Sequence, residues 1–82
     1  MVNNMDNRIR ELRLENNLSQ EKVANLLNMS QTGYSKYETG ENDIPTKVLI
    51  KLAKFYRTSV DYLLDITDTK TAYPRRKKRF ND

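Results

Sequence analysis

The chain has 82 residues, 37% of them hydrophobic and 32% charged, with a formal net charge of +4, as expected for one soluble domain with a modest core. It has no cysteine and no histidine, which excludes disulfides, leaves out the usual zinc ligands and removes the commonest catalytic bases and nucleophiles. No apolar run is as long as a membrane-spanning helix. We therefore expect a cytoplasmic protein that is not an enzyme and has no cofactor, metal or membrane contact.

Two short helices are predicted at the start of the chain, because apolar residues recur there at helical spacing and never alternate as in a strand. The first is predicted from about residue 7 to residue 16. Ser19 is suited to cap the second, whose sequence is QEKVANLL. The side chains expected to face inward from this pair are Ile9, Leu12, Leu14, Val23, Ala24 and Leu27.

The third helix is predicted within the stretch SQTGYSKYETG, from residue 31 to about residue 39. Ser30 is suited to cap its start, and Gly40 is suited to end it. Tyr34 and Tyr37, three residues apart, are predicted to anchor the helix in the core rather than to stack on bases. The side chains left to face outward are polar, namely Gln31, Thr32, Ser35 and Lys36.

Two more helices are predicted after a polar loop. Pro45 and Thr46 open the fourth, since proline is tolerated in the first helical turn, and Ser59 caps a short fifth helix, VDYLLD. The apolar residues expected to face the core are Leu49, Leu52, Ala53, Tyr56, Val60, Leu63 and Leu64. The predicted fold class is therefore all-α, with five helices in a domain that covers residues 1–68.

Residues 69–82 are predicted to be a flexible basic tail, because they lack apolar periodicity. Residues 1–69 carry nine Lys and Arg against ten Asp and Glu, a net charge of −1, whereas residues 70–82 carry six against one, a net of +5. The basic run is Arg75, Arg76, Lys77, Lys78 and Arg79. A solvated tail stays open, whereas a membrane-surface role is the weaker alternative because no apolar helix or lipidation motif accompanies the run. Nucleic acid is the favoured partner.

The turn between the second and third helices is only about three residues long, which forces the third helix to cross the second steeply and to stand out from the body. An α-helix presented in this way fits the major groove of B-DNA. Gln31 suits adenine, Lys36 suits guanine and Thr32 suits the methyl group of thymine. Gly33 costs about 1 kcal/mol of helix propensity relative to alanine, and we interpret it as a place where a side chain would collide with DNA or with the second helix.

In this order and spacing, the residues resemble the helix-turn-helix domain of phage repressors, Cro proteins and Xre-type bacterial regulators. The resemblance runs from IRELRLENNLSQEKVANLL through NMSQTGYSKYETG to IPTKVLIKLAKFYRTSVDYLL, about residues 8–66. It implies a compact five-helix repressor-like bundle. It also implies a sequence-specific transcriptional regulator, a repressor, that binds double-stranded DNA as a homodimer at a palindromic operator.

The resemblance assigns roles to individual residues. Gln20 matches a position that usually binds a DNA phosphate and supports the glutamine that opens helix three. Gln31 matches that glutamine, which often reads adenine. Arg13 and Glu38 match a partly buried salt bridge that ties helix one to helix three. The other positions that face the groove are matched by Thr32, Ser35 and Lys36.

Two features differ from the family pattern. The loop after helix three is acidic, with Glu41 and Asp43, where many repressors carry basic residues, and this loop would repel phosphate. Only Asn42 is a neutral phosphate donor there. Gly33 stands where a side chain often contributes specificity. The acidic loop leaves a second hypothesis open, a protein-interaction module of antitoxin-like or adaptor type on the same fold.

The region of helix five is the expected dimer surface, although Tyr62 is as well suited to the interior as to a subunit contact. The residues expected on this surface are Val60, Tyr62, Leu64 and Ile66. Asp61 and Asp65 share a predicted helical face, but the sequence indicates no pocket around them. An enzyme is therefore a poor hypothesis.

Overall fold

The computed structural model describes residues 7–71, and no β-strand occurs among them. They form the five helices α1 (Ile9–Glu15), α2 (Gln20–Leu26), α3 (Gln31–Thr39), α4 (Thr46–Tyr56) and α5 (Val60–Leu63). The all-α prediction with five helices is confirmed. The run Arg75 to Arg79 lies outside the described residues, and the predicted tail over residues 69–82 stays a prediction.

Serine side chains cap three of the helices, as predicted. The hydroxyl oxygens of Ser19, Ser30 and Ser59 each accept a hydrogen bond of 3.0 Å from a backbone N–H three residues further on. Each cap pairs one of the N–H groups that have no partner within the first helical turn. Gly40 ends α3 in the left-handed region, with φ of 81°, where glycine has no steric penalty. Local sequence signals thus determine where these helices begin and end.

One core joins all five helices. Its buried apolar residues are Ile9, Leu12, Val23, Ala24, Tyr34, Leu52, Ala53, Tyr62 and Leu63. The inward position predicted for Leu14 was wrong, because its side chain is 50% exposed. Two residues turn an α-helix by about 200°, so Leu14 points away from the face that carries Leu12. The next inward position after Leu12 is held by Arg13.

The expected dimer surface on helix five is only partly exposed. Tyr62 is 8% exposed and belongs to the core, so the interior is the correct one of the two positions left open for it, and it drops out of the expected dimer surface. Val60 and Leu64 are half-buried. Ile66 is 69% exposed, so among the four residues it alone offers a large apolar area to a partner.

The segment after α5 returns to α1 and is held there by polar contacts. The Arg8 guanidinium lies 4.1 Å from the ring centroid of Tyr62 and donates to Asp65 at 2.6 Å and to Asp68 at 2.9 Å. The hydrogen bond to Asp65, followed by that to Asp68, raises the pKa of Arg8. Asp65 follows the end of α5 and has a φ of 62°. The prediction that Asp61 and Asp65 share a helical face was therefore wrong, because the helix ends before Asp65.

Contacts with the helical body continue as far as Lys70. The Thr58 hydroxyl donates to the Lys70 carbonyl oxygen at 2.5 Å, and the Lys70 ammonium forms an ion pair of 2.8 Å with Glu15. The position of the predicted domain boundary at Asp68 stays a prediction. A shortened chain that preserves these contacts would end after residue 71 rather than at Asp68.

Replacing Arg57 with glycine is expected to stabilise the domain by up to about 1 kcal/mol. Arg57 ends α4 with φ of 58° and ψ of 48°, and the left-handed region is unfavourable for a residue with a Cβ. Lys51→Gly, at an exposed site within α4, is the matched control and should cost about 1 kcal/mol. Urea unfolding of both variants measures the difference. A destabilised Arg57→Gly variant would contradict the prediction.

Candidate nucleic-acid interface

Helices α2 and α3 pack directly against each other across a turn of residues 27–30. Asn28 adopts a φ of 57° in this turn, which asparagine tolerates better than most residues. The Met29 N–H donates to the Ala24 carbonyl oxygen at 3.0 Å and closes the end of α2. This turn fixes the start of α3 relative to the body.

Helix α3 is anchored through one face. Tyr34 is fully buried and Glu38, one turn later, is 2% exposed. Tyr37 is half-buried, and its ring meets that of Tyr34 edge to face with 6.4 Å between the centroids. The prediction that the two tyrosines anchor the helix in the core is confirmed, with Tyr37 at the edge of that core.

The polar residues predicted to read bases lie on the remaining surface of α3. Gln31 and Thr32, in its first turn, are exposed, whereas Ser35 and Lys36 are half-buried. The start of the helix therefore offers its side chains to a partner more openly than its middle does. Contact between these four residues and DNA bases stays a prediction.

The Glu38 carboxylate lies at the centre of a buried hydrogen-bond network. Its Oε2 atom accepts from Arg13 Nε at 2.6 Å and from the Tyr34 hydroxyl at 2.5 Å. Its Oε1 atom accepts from Arg13 Nη2 at 3.2 Å and from Gln20 Nε2 at 3.0 Å. Arg13 Nη1 also donates to the Leu18 carbonyl oxygen at 2.9 Å. Arg13 and Glu38, paired by the resemblance, are thus in contact and join α1 to α3.

These donors keep Glu38 ionised although it is buried. Burial alone raises the pKa of a carboxyl group, but the hydrogen bonds from Arg13, Tyr34 and Gln20 outweigh that effect and the pKa of Glu38 is lowered. Burial, followed by the hydrogen bond to Glu38, raises the pKa of Tyr34. The network therefore holds one anionic carboxylate among fixed donors.

The network reaches the exposed start of α3 through Gln20. Gln31 Nε2 donates to Gln20 Oε1 at 3.4 Å, a long hydrogen bond. The amide of Gln20 thus lies between the buried carboxylate and the first residue of α3. Through this contact, Gln20 on α2 supports Gln31 at the exposed start of α3.

Residues 9–63 match the helix-turn-helix family. The chain belongs to this family. It is 36% identical over 61 residues to YobD, an uncharacterized HTH-type transcriptional regulator of Bacillus subtilis, covering 74% of this chain and 54% of YobD. It is 37% identical over 62 residues to the cryptic phage CTXphi transcriptional repressor RstR of Vibrio cholerae, covering 76% of this chain and 56% of RstR. The chain spans about half the length of these relatives. No solved structure matches it.

The loop that follows the helix-turn-helix folds back on the end of α3. The Asn42 N–H donates to the Lys36 carbonyl oxygen at 3.1 Å, and the Glu41 N–H donates to the Thr39 hydroxyl oxygen at 3.3 Å. The side chains of Glu41, Asn42 and Asp43 are exposed. The acidic charge of this loop thus lies beside the end of the helix proposed to read DNA.

Gly33 has neighbours in the turn of the helix-turn-helix. A Cβ atom at this position would lie 3.1 Å from Met29 Cε and 3.2 Å from Ser30 Oγ. Both residues precede α3 but follow the end of α2. A collision with the second helix was therefore the wrong part of the interpretation, and a collision with DNA stays a prediction. Ser30 Oγ accepts the capping bond from the Gly33 N–H, so a larger residue presses on the cap itself.

Two contributors to the network were missed in the sequence. The Tyr34 hydroxyl, treated only as part of a core anchor, bonds the Glu38 carboxylate. The spacing of four between these residues places both on one helical face, and that signal could have paired them. The Leu18 carbonyl oxygen had no recognisable signal, because its role depends on where Arg13 points.

Within residues 7–71, no three His, Cys, Asp or Glu side chains cluster as a metal site would require. No helix in that range is long and apolar enough to cross a membrane.

The stabilising contribution of the Glu38 carboxylate to the free energy of unfolding is expected to disappear in acid. Because its pKa is lowered in the folded state from the ordinary value of 4.5, its contribution is present above pH 4.5 and is lost as the pH falls through the lowered pKa. Free energies of unfolding of wild type and Glu38→Gln, measured by urea between pH 7 and pH 3, should therefore converge as the pH falls. Parallel curves would contradict this.

Proposed function

We propose that this chain is a sequence-specific double-stranded DNA-binding regulator of transcription, acting as a repressor, with α3 as its recognition helix. The observation that carries the proposal is that Tyr34 and Glu38 anchor α3 from within while Gln31 and Thr32 at its start are exposed. Membership of the helix-turn-helix family supports it, and the similar protein RstR is named a transcriptional repressor. The names of these relatives favour DNA binding over the protein-interaction alternative and over catalysis.

In this proposal, one group of side chains reads bases and a second group binds phosphates. The residues that read base edges in the major groove are Gln31, Thr32, Ser35 and Lys36. The residues that bind phosphates are Gln20, Asn42, Arg75, Arg76, Lys77, Lys78 and Arg79. Since the described body is nearly neutral and its loop is acidic, the basic run accounts for the net positive charge of the chain.

The proposal includes a homodimer on a palindromic operator. Helix-turn-helix dimers place one recognition helix in each half-site, with half-site centres about 34–36 Å apart. The large exposed fraction of Ile66 makes the segment after α5 the first region to substitute when the subunit contact is sought.

Selection from random duplex DNA by the whole chain, at about 0.15 M salt where exposed charges are already screened, tests the proposed function. We expect one inverted repeat to be enriched. The double variant Gln31→Ala/Lys36→Ala, shown to be folded by circular dichroism, should lose that preference while retaining weak, salt-sensitive binding. Failure of the wild-type chain to enrich any sequence would overturn the proposal.

A further inference from the structure

The Glu38 carboxylate fixes the orientation of the Gln20 amide. An ionised carboxylate only accepts hydrogen bonds, so the amide group facing it must present its NH2 end. Gln20 Nε2 accordingly donates to Glu38 Oε1 at 3.0 Å. Arg13 holds both carboxylate oxygens and Tyr34 holds one of them, so the acceptor cannot turn away. Reversing the Gln20 amide would bring two oxygens together.

The orientation of the Gln20 amide determines which group of Gln31 it can bind. With its NH2 end committed to Glu38, Gln20 presents Oε1 on the opposite side, where it accepts from Gln31 Nε2 at 3.4 Å. One of the two N–H groups of Gln31 is thereby used inside the protein. The groups that Gln31 retains for a partner are one N–H and its Oε1 oxygen.

A glutamine left with one donor and one acceptor fits adenine better than guanine. The major-groove edge of adenine offers the N7 acceptor and the N6 amino donor, whereas guanine offers two acceptors, N7 and O6. Against guanine, Gln31 could donate its one remaining N–H to N7 or O6, but its Oε1 would find no donor, so the contact would have one hydrogen bond instead of two. We propose that Glu38 is a positioning residue that acts through Gln20 on Gln31 and so sets a preference for adenine over guanine. This inference rests on the proposed function.

The test uses the full chain and the operator found by selection. The base pair facing Gln31 is identified as the one whose preference disappears in Gln31→Ala, and affinities are then compared for adenine and guanine at that position. Wild type is expected to favour adenine roughly 10-fold or more, the range of one good bidentate contact. Gln20→Met, of similar length but without an amide, should reduce the ratio to about 2-fold or less. Glu38→Gln, which gives Gln20 a donor as well as an acceptor, should reduce it in the same direction.

The control is Glu21→Gln, at an exposed position beside Gln20 on α2. Glu21 lies outside the hydrogen-bonded series Glu38, Gln20 and Gln31, here called the relay, so this variant should retain the wild-type ratio of adenine to guanine affinity. Preferences at the other base pairs serve as an internal control, because a loss of fold would weaken all of them together. Thermal unfolding checks that each variant is folded. If Glu38→Gln is unfolded, Gln20→Met still tests the inference by itself.

The outcomes separate this inference from the function on which it rests. If wild type has no sequence preference, the proposed function fails and the relay has nothing to position. If wild type prefers adenine and Gln20→Met retains the same ratio, the positioning role is overturned while groove reading stands. A Gln20→Met variant that loses affinity equally for adenine and guanine also overturns it, because Gln20 would then serve only as a phosphate contact.

Discussion

Replacing Glu38 with alanine is expected to lower the free energy of unfolding by about 3–5 kcal/mol, because it leaves a buried charge without its partner. The Arg13 side chain is 9% exposed and could not recover the lost interaction from water. The Tyr34 hydroxyl and the Gln20 amide would lose an acceptor at the same time. Urea unfolding at pH 7, with an unchanged dependence on denaturant, measures the loss.

A double variant separates the cost of an unpaired charge from the value of the pair. Arg13→Met/Glu38→Leu replaces both partners with apolar side chains. It should lower the free energy of unfolding by clearly less than the sum of the losses for Arg13→Met and Glu38→Leu alone. Additive losses, or a loss below about 1 kcal/mol for Glu38→Ala, would show that the pair is not the buried tie between α1 and α3 described above.

Neutralising the basic run is expected to have the largest effect on DNA affinity. The variant changes Arg75, Arg76, Lys77, Lys78 and Arg79 to glutamine in the full chain. If every one of these charges meets a phosphate, the slope of log affinity against log salt should become less negative by about 4–5, since each neutralised phosphate contributes about 0.9. The body cannot compensate, because residues 1–69 carry a net charge of −1.

Base preferences should survive this change, because phosphate contacts hold a protein in register but carry no direct sequence information. Lys54→Gln, at an exposed position on α4, is the single-charge control and should alter the slope by about 1 at most. A slope for the five-residue variant that matches wild type would mean that the run is solvated rather than bound to DNA.

The candidate site could be predicted only in part from residue patterns. Tyr34 was expected inside the protein because its spacing from Tyr37 is helical, and it is fully buried. The exposure of Gln31 followed from its place at the start of a capped helix. The ion pair of Arg13 and Glu38 came from the family resemblance, since nothing in either neighbourhood requires the other residue.

The sequence by itself determined the five helices, because their signals act over short distances. A serine cap bonds an N–H three residues away, and Gly40 ends α3 through its own backbone freedom. Only the tertiary structure decided which polar groups meet, because Arg13 and Glu38 are 25 residues apart and Arg8 and Asp65 are 57 apart. Such contacts depend on how helices pack, which also decided that Leu14 is exposed and Tyr62 is buried.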